Sequence, residues 1–168
     1  MMLSSKLDSP VRAAIFGLLL SGLVAVPAVA ATASNSLSVS ATVQATCTVT
    51  ASTMSFGNYT GSATTATSAV SVTCTNATPY NVGLSAGTAS GATVSTRKMT
   101  GPASALLSYS LFSDPSRTLN WGQTAGSDTV TGIGSGAVQA LTVYGQTPAG
   151  QFLTPGSYTD TITATITY

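Results

Sequence analysis

The sequence contains very little charge, and it lacks two of the residue types on which active sites most often depend. Only nine of its 168 residues are Lys, Arg or Asp, and neither His nor Glu occurs. The charged fraction of 5% lies far below the roughly 25% of an average soluble domain. Because the commonest general base and the commonest metal ligand are missing, we expect no enzymatic activity, no metal site and no cofactor. A formal net charge of +1 also excludes nucleic-acid binding that is dominated by phosphate contacts.

Hydroxyl-bearing and small residues take the place of charge. Ser and Thr together account for 53 residues, and Gly accounts for 16. The hydrophobic fraction of 43% is too high for a simply disordered chain. The composition therefore predicts an uncharged, turn-rich globular domain.

The first thirty residues have the pattern of a signal peptide. Two cations precede an uncharged apolar run at residues 13–26, which is shorter than a typical membrane span. Small residues then favour cleavage after Ala30 or, as an alternative, after Ala33. We interpret residues 1–30 as a signal peptide, and the competing interpretation is a retained membrane anchor. No other segment is long and apolar enough to span a bilayer, so no stable membrane insertion is expected.

Removal of this segment leaves a chain without net charge. Three cations and three carboxylates remain, and a neutral protein tends to self-associate. That tendency is a disadvantage for a free monomer but not for the subunit of a polymer. The remaining charged residues are Arg97, Lys98, Arg117, Asp114, Asp128 and Asp160.

The sequence contains two cysteines, Cys47 and Cys74. An even number of cysteines in an exported protein predicts a disulfide. The closed loop would stabilise the fold by about 3–4 kcal/mol in the chain-entropy model. A redox or metal role is disfavoured, because neither cysteine belongs to a CxxC motif and no His could complete a zinc site.

Short runs of alternating apolar and hydroxyl residues fill the rest of the chain, and helical periodicity is nearly missing. Gly, Asn, Pro and Asp interrupt these runs at short intervals. Six or seven such strands predict an all-β sandwich of one domain. Residues 60–68 are expected to form an exposed loop or edge, and residues 132–136 a turn. The apolar positions of the runs are Val70, Val72, Tyr80, Val82, Leu84, Met99, Leu107, Tyr109, Leu111, Leu141 and Val143.

Both ends of the mature chain carry clear strand patterns. Residues 34–43 and 158–168 each alternate between an apolar face and a face of Ser or Thr. The first segment can complete the sheet edge of another molecule, or it can be the first strand of its own sandwich. Asp160 is the one charge on the apolar face of the second segment, near its start, where we expect solvent. The apolar positions are Leu37, Val39, Ala41 and Val43 in the first segment and Tyr158, Ile162, Ala164, Ile166 and Tyr168 in the second.

Isolated residues support other functions only weakly. A lone Trp in a sandwich, here Trp121, lies more often in the core than on a sugar-binding surface with Tyr144. Arg97 and Lys98 could contact a partner, but a solvated turn is the simpler interpretation. The aspartates of the mature chain lie beside turn-forming residues or at a polar strand end, where a capping role is favoured over catalysis.

Six motifs follow one another through residues 34–168: ATCTV at 45–49, FGNY at 56–59, VSVTCTNATPYNVGL at 70–84, YSLFSD at 109–114, NWG at 120–122 and PGSYTDTITATITY at 155–168. In their order and spacing they resemble the spore coat protein U domain family. That family includes the pilin subunits of archaic chaperone–usher (Csu-type) pili. The similarity covers essentially all of the mature chain.

The resemblance implies an incomplete immunoglobulin-like β-sandwich that lacks its last strand. It implies that a periplasmic chaperone lends a strand during export, and that the N-terminal strand of the next subunit replaces it at an outer-membrane usher. Residues 31–44 would then be the donor-strand segment and residues 45–168 the pilin domain. The apolar residues of the first segment would insert, and those of residues 158–168 would border the acceptor groove. The disulfide would connect the first strand of the domain to a later one.

Three classes of function compete for this sequence. A structural subunit of an adhesive pilus at the cell surface accounts for the signal peptide, the neutral mature chain and both strand-like ends. Its partners would be other copies of itself or sibling pilins. The alternative is a secreted binding module or tip adhesin of the same fold, although a tip adhesin usually carries a second domain. An enzyme is least favoured, because no His is available to activate a Ser or Thr nucleophile.

Overall fold

The computed structural model describes residues 27–168 of the chain. Most of the expected signal peptide, residues 1–30, lies outside the described residues and stays a prediction. The chain divides after Ser40 into two units. Residues 27–46 form neither helix nor strand, and their side chains are exposed. The alternating pattern at residues 34–43 is therefore not a strand here, since a strand requires a partner for its main-chain N–H and C=O groups.

Short strands joined by loops make up the domain that follows, with one turn of 3-10 helix at Pro102–Ser104. Along each strand, side chains that face the interior alternate with side chains that face solvent. No helix within residues 27–168 is long and apolar enough to cross a membrane. The strands are β1 (Cys47–Ala51), β2 (Thr64–Cys74), β3 (Pro79–Leu84), β4 (Arg97–Thr100), β5 (Leu106–Phe112), β6 (Val130–Ile133), β7 (Val138–Thr147) and β8 (Ala164–Thr167).

These strands form two antiparallel sheets. The larger sheet has the strand order β1-β2-β7-β5-β4, and the smaller has the order β6-β3-β8. The prediction of an all-β sandwich is confirmed, with eight strands where six or seven were expected. No alternating run predicted β6, whose Gly132 was assigned to a turn. A glycine fits this position because the ring of Tyr80, its register partner on β3, occupies the space of a side chain.

The core lies between the sheets and surrounds a single tryptophan. Trp121 is fully buried, and its indole N–H donates to the carbonyl oxygen of Val82 at 2.8 Å. This confirms the core assignment and excludes Trp121 from sugar stacking. The other buried apolar residues are Val70, Val72, Cys74, Tyr80, Val82, Leu84, Leu107, Tyr109, Leu111 and Val143.

Two strands have other bounds than the sequence pattern suggests. β2 begins at Thr64, so the expected loop at residues 60–68 is half strand. The first part of β2 pairs with β7 alone, which agrees with the expected edge. The C-terminal strand is shorter than its pattern, because β3 ends at Leu84 and so offers a partner only from Ala164 onward.

Arg97 is completely buried, and the expectation of a solvated turn is wrong for it. Its guanidinium donates to four main-chain carbonyl oxygens, those of Leu84 (2.9 Å), Ser85 (2.8 Å), Val94 (2.6 Å) and Trp121 (2.6 Å). Desolvation lowers the pKa of Arg97 below its usual value. A charge is tolerated at this depth because oriented carbonyl dipoles replace its hydration.

Two of the aspartates bind loop N–H groups, as capping residues do. Asp128 accepts a hydrogen bond from the N–H of Thr124 at 2.7 Å. Asp114 accepts hydrogen bonds from the N–H groups of Leu119 at 2.7 Å and Thr118 at 2.9 Å. Desolvation alone would raise the pKa of Asp114, but these hydrogen bonds outweigh it and lower the pKa below its usual value.

Candidate functional site: a groove between two free strand edges

The sandwich is open along one side. β1 pairs only with β2, and β8 pairs only with β3, so each ends its sheet within the described part of the chain. A free edge carries main-chain donors and acceptors without partners, which makes it a template for another strand. The two free edges flank the same opening between the sheets.

The register shows which main-chain groups of β1 face the opening. Thr75 donates to Thr46 and Ser52 donates to Ala69, so the even-numbered residues of β1 form the hydrogen-bonded pairs with β2. In an antiparallel ladder the intervening residues direct their N–H and C=O groups away from the partner. The main-chain groups at the free edge of β1 therefore belong to Cys47, Val49 and Ala51.

The same argument identifies the free groups of β8. Ser85 donates to the carbonyl oxygen of Thr163 at 3.0 Å, so odd-numbered residues pair with β3. Ala164 and Ile166 direct their N–H and C=O groups to the opening. Their side chains pack against the core, so this edge offers both hydrogen bonds and apolar surface.

The opening contains a groove of about 400 Å³. Most of the side chains that line it are apolar. Of the residues that the structure describes, Asp160 is the one charged residue in the lining. The groove is open beside the segment that follows β1. β1 and β8 themselves approach each other without forming a ladder. The principal lining residues are Ala51, Met54, Phe56, Val70, Leu84, Met99, Tyr109, Leu111, Val143, Tyr158, Asp160, Ile162 and Ala164.

Asp160 lies in the groove wall and is fully hydrogen-bonded, which differs from the expected solvated position. One carboxylate oxygen accepts the N–H of Thr88 (2.8 Å), the hydroxyl of Thr88 (3.0 Å) and the N–H of Thr161 (2.8 Å). The other accepts the hydroxyl of Tyr109 at 2.7 Å. Burial, and after it this hydrogen bond, raises the pKa of Tyr109 far above its usual range. Tyr109 is therefore a proton donor throughout the physiological pH range.

The expected edge residues divide into three groups. Tyr158, Ile162 and Ala164 line the groove. Ile166 is not among its lining residues but packs against the core beside it. Tyr168 is 57% exposed and lies outside the lining.

The expected donor residues share one property, which is exposure. Leu37 is 89% exposed, Val39 84% and Val43 83%, and Ala41 is exposed as well. Exposed apolar side chains of this size are unfavourable in water.

Sequence reasoning missed Met54 and Phe56, which line the groove beside Tyr109. Met54 and Phe56 follow β1 and pack over Gly145 of β7, where an added Cβ would lie 2.5 Å from the sulfur of Met54. The ring of Phe56 lies 5.9 Å from that of Tyr109. Only the motif FGNY, which contains Phe56, pointed to this segment, because an irregular segment leaves no periodicity to detect.

The expected disulfide between Cys47 and Cys74 is present. The two cysteines are register partners on β1 and β2, with a Cα–Cα distance of 4.1 Å. That spacing agrees with a pair that makes no main-chain hydrogen bonds, where side chains come closest. The bond fastens the edge strand β1 to its single partner.

Comparison with known proteins supports the fold. A similar solved structure is the CsuC–CsuE chaperone–tip adhesion subunit pre-assembly complex from archaic chaperone-usher Csu pili of Acinetobacter baumannii. The match has a TM-score of 0.56 at 24% sequence identity and covers 76% of this chain. This chain spans only 40% of the matched one. The match supports an all-β, immunoglobulin-like sandwich as the fold of this chain.

Sequence comparison identifies the family. Protein U of Myxococcus xanthus is 35% identical, and the alignment covers 84% of this chain and 88% of Protein U. The family model of the spore coat protein U domain matches residues 33–165, which is nearly the whole mature chain. The chain therefore belongs to the spore coat protein U domain family.

Proposed function

We propose that this protein is a structural subunit of an adhesive chaperone–usher pilus, and that it polymerises by donor-strand complementation. The observation that carries the proposal is the groove between the free edges of β1 and β8. Residues 34–43 of another copy, or of a sibling pilin, would fill it. The groove lacks a strand, and the exposed segment has the pattern of one.

The chemistry of the two parts is complementary. The groove offers apolar side chains together with free main-chain groups on both walls. In an extended conformation the segment would present Leu37, Val39, Ala41 and Val43 on one face, and its main-chain groups belong to no strand within the described residues. Burial of the three larger side chains would contribute on the order of 5 kcal/mol. Main-chain hydrogen bonds to both edges would add affinity and fix the register.

Export through the periplasm to the cell surface is part of the proposal. An apolar groove with free edges is an aggregation hazard for a lone subunit. A periplasmic chaperone that lends a strand would cover it, and an outer-membrane usher would exchange that strand for the donor segment of the next subunit. The neutral surface of the mature chain favours contact between copies.

A structural role, not a catalytic one, agrees with the chemistry of the groove. Its carboxylate, Asp160, accepts four hydrogen bonds from neighbouring groups and is thereby committed to the fold. The other lining residues are apolar or bear neutral hydroxyls. The groove therefore suits a peptide strand better than a reacting substrate.

A pair of matched substitutions tests the donor assignment. Val39→Asp would place a carboxylate on the inserting face, where it would be buried without a partner. Ser38→Asp would add the same charge one residue away, on the face that points to solvent. We expect Val39→Asp to abolish SDS-resistant ladders of unboiled fibres, and Ser38→Asp to leave them intact.

Equal ladders for the two variants would contradict the assignment of residues 34–43 as the donor strand. Chaperone co-purification serves as the control for folding, because the substitutions lie outside the sandwich. Each variant should co-purify with the chaperone in the same amount as the unaltered subunit does.

A further inference from the structure

We propose that Tyr109 and Asp160 form a strut that holds the groove open where the donor strand first enters, so that both act as positioning residues for strand capture. This inference rests on the proposed function of the groove. The strut joins β5 of the larger sheet to the wall segment that precedes β8 in the smaller sheet.

The wall needs such support because it has no ladder of its own at this point. Residues 158–163 border the groove, but the pairing of β8 with β3 begins only at Ala164. Thr159 makes an isolated bridge with Thr100, with N···O distances of 2.8 and 3.1 Å. Side-chain hydrogen bonds must fix the position of the wall next to this bridge.

Asp160 supplies these hydrogen bonds and extends them across the sandwich. It binds the backbone and hydroxyl of Thr88, in the loop that follows β3, and the hydroxyl of Tyr109 on β5. Three parts of the fold therefore meet at one carboxylate. The distances of 2.7 to 3.0 Å are those of strong hydrogen bonds to a charged acceptor.

The loop at Thr88 is shaped to receive the carboxylate. Gly87 has a φ of +90°, and a Cβ at this position would overlap with the carboxylate of Asp160. A glycine is therefore required both by the backbone conformation and by the approach of Asp160. Arg97 holds the same loop from the interior through the carbonyl oxygens of Leu84 and Ser85.

The two ends of the opening between the sheets differ in width, as expected if the strut holds one end apart. The groove lies at the end that Asp160 and Tyr109 line. β1 and β8 carry no comparable side-chain connection between them, and there the free edges approach each other. A donor side chain can therefore seat at the open end before the two edges are separated.

A positioning role makes a kinetic prediction. The strut exists before the donor arrives, so its loss should slow association and leave the dissociation of the completed strand nearly unchanged. A residue that matters only for general stability would lower the free energy of unfolding without this asymmetry between the two rates.

The test uses a chain that begins after residue 43, so that no donor segment of its own competes for the groove, and a fluorescent synthetic peptide with the sequence of residues 34–44. Association and dissociation are followed by stopped-flow anisotropy. We expect Tyr109→Phe to slow association about tenfold and to change dissociation by less than about twofold. The control is Tyr59→Phe, outside the groove lining, which removes a hydroxyl that donates to the carbonyl oxygen of Pro148 at 2.7 Å and accepts from the N–H of Gln151 at 3.1 Å.

Two variants of Asp160 test whether its hydrogen bonds, and not only its charge, are needed for fast association. Asp160→Ala removes every acceptor, and we expect association to slow at least as much as in Tyr109→Phe. Asp160→Asn retains an acceptor for Thr88 and offers an amide to the oxygen of Tyr109, so we expect association to recover to within about threefold of the unaltered chain.

The outcomes distinguish this inference from the proposed function. Unchanged association in Tyr109→Phe, or equal slowing in Tyr59→Phe, would overturn the strut while leaving the groove as the acceptor. Failure of the unaltered chain to bind the peptide would instead overturn the proposed function. If Tyr109→Phe raised the dissociation rate by the same factor by which it lowered the association rate, a positioning role would also be rejected.

Discussion

Arg97 shows how a single residue can bring charge into a sandwich that has almost none. Its guanidinium spans the loop after β3, the turn before β4 and the backbone at Trp121, and each donor meets a carbonyl oxygen. Such planar recognition of several acceptors is specific to arginine. The residue therefore joins the loop after β3 to the turn before β4 and to the backbone at Trp121.

A conservative substitution tests this role at the residue scale. Arg97→Lys keeps the charge but cannot reach all four carbonyl oxygens, so buried acceptors would be left without partners. We expect the free energy of unfolding in urea to fall by about 2–4 kcal/mol. Lys98→Ala, next in the chain but directed away from the core, should change it by less than about 0.5 kcal/mol. A loss below that level in Arg97→Lys would show that the carbonyl contacts contribute little.

At the scale of the element, β1 is an edge strand of the larger sheet and also forms a wall of the groove. It is five residues long and pairs with β2 alone. The disulfide from Cys47 to Cys74 compensates by anchoring its first residue. The wall therefore stays in position while its other edge remains free to accept a strand.

Removal of the disulfide should act mainly on this strand. With both cysteines replaced by Ala, we expect the free energy of unfolding to fall by about 3 kcal/mol. Hydrogen exchange of the β1 amides that bond to β2 should accelerate more than that of the β5 amides, since β5 has strand partners on both sides. Uniform acceleration across both strands would show that the disulfide stabilises the whole sandwich equally.

The strands could be predicted from the sequence wherever alternation coincides with a partner in the sheet. Val138 and the pair Leu141 and Val143 have opposite parity in the sequence, and in β7 they lie on opposite faces of one continuous strand. The pattern at residues 158–168 was equally clear, but only its end is a strand, because β3 ends too early to pair with the rest. An alternating sequence shows which face of the sheet each side chain occupies, whereas the bounds of a strand depend on the length of the neighbouring strand.

Candidate site residues were predictable from the sequence only where they belong to a periodic segment. Ile162 and Ala164 follow from their parity. Asp160 was assigned to solvent, because nothing in the sequence shows that Tyr109, about fifty positions away, reaches its carboxylate. Buried polar contacts between distant segments are set by tertiary packing, and a single sequence does not encode them as a pattern.

For the whole molecule, the scarcity of charge acquires a structural explanation. The core and the groove contain many of the apolar residues, and Ser and Thr are common on the outward faces of the strands. A sandwich that leaves two edges free is prone to aggregate until a strand fills the gap. We interpret the neutral mature chain as the surface of a subunit whose neighbours are copies of itself.

The central claim is that residues 34–43 of one copy fill the groove of another, and the most direct test is the ladder of unboiled fibres on an SDS gel. A chain lacking residues 34–43 can accept a strand but cannot donate one. Expressed alone with its chaperone, it should give a single monomer band. Mixed with the full chain, it should shorten the ladder in proportion to its share, because it ends each fibre that it joins. A ladder of normal length from the truncated chain alone would contradict the account.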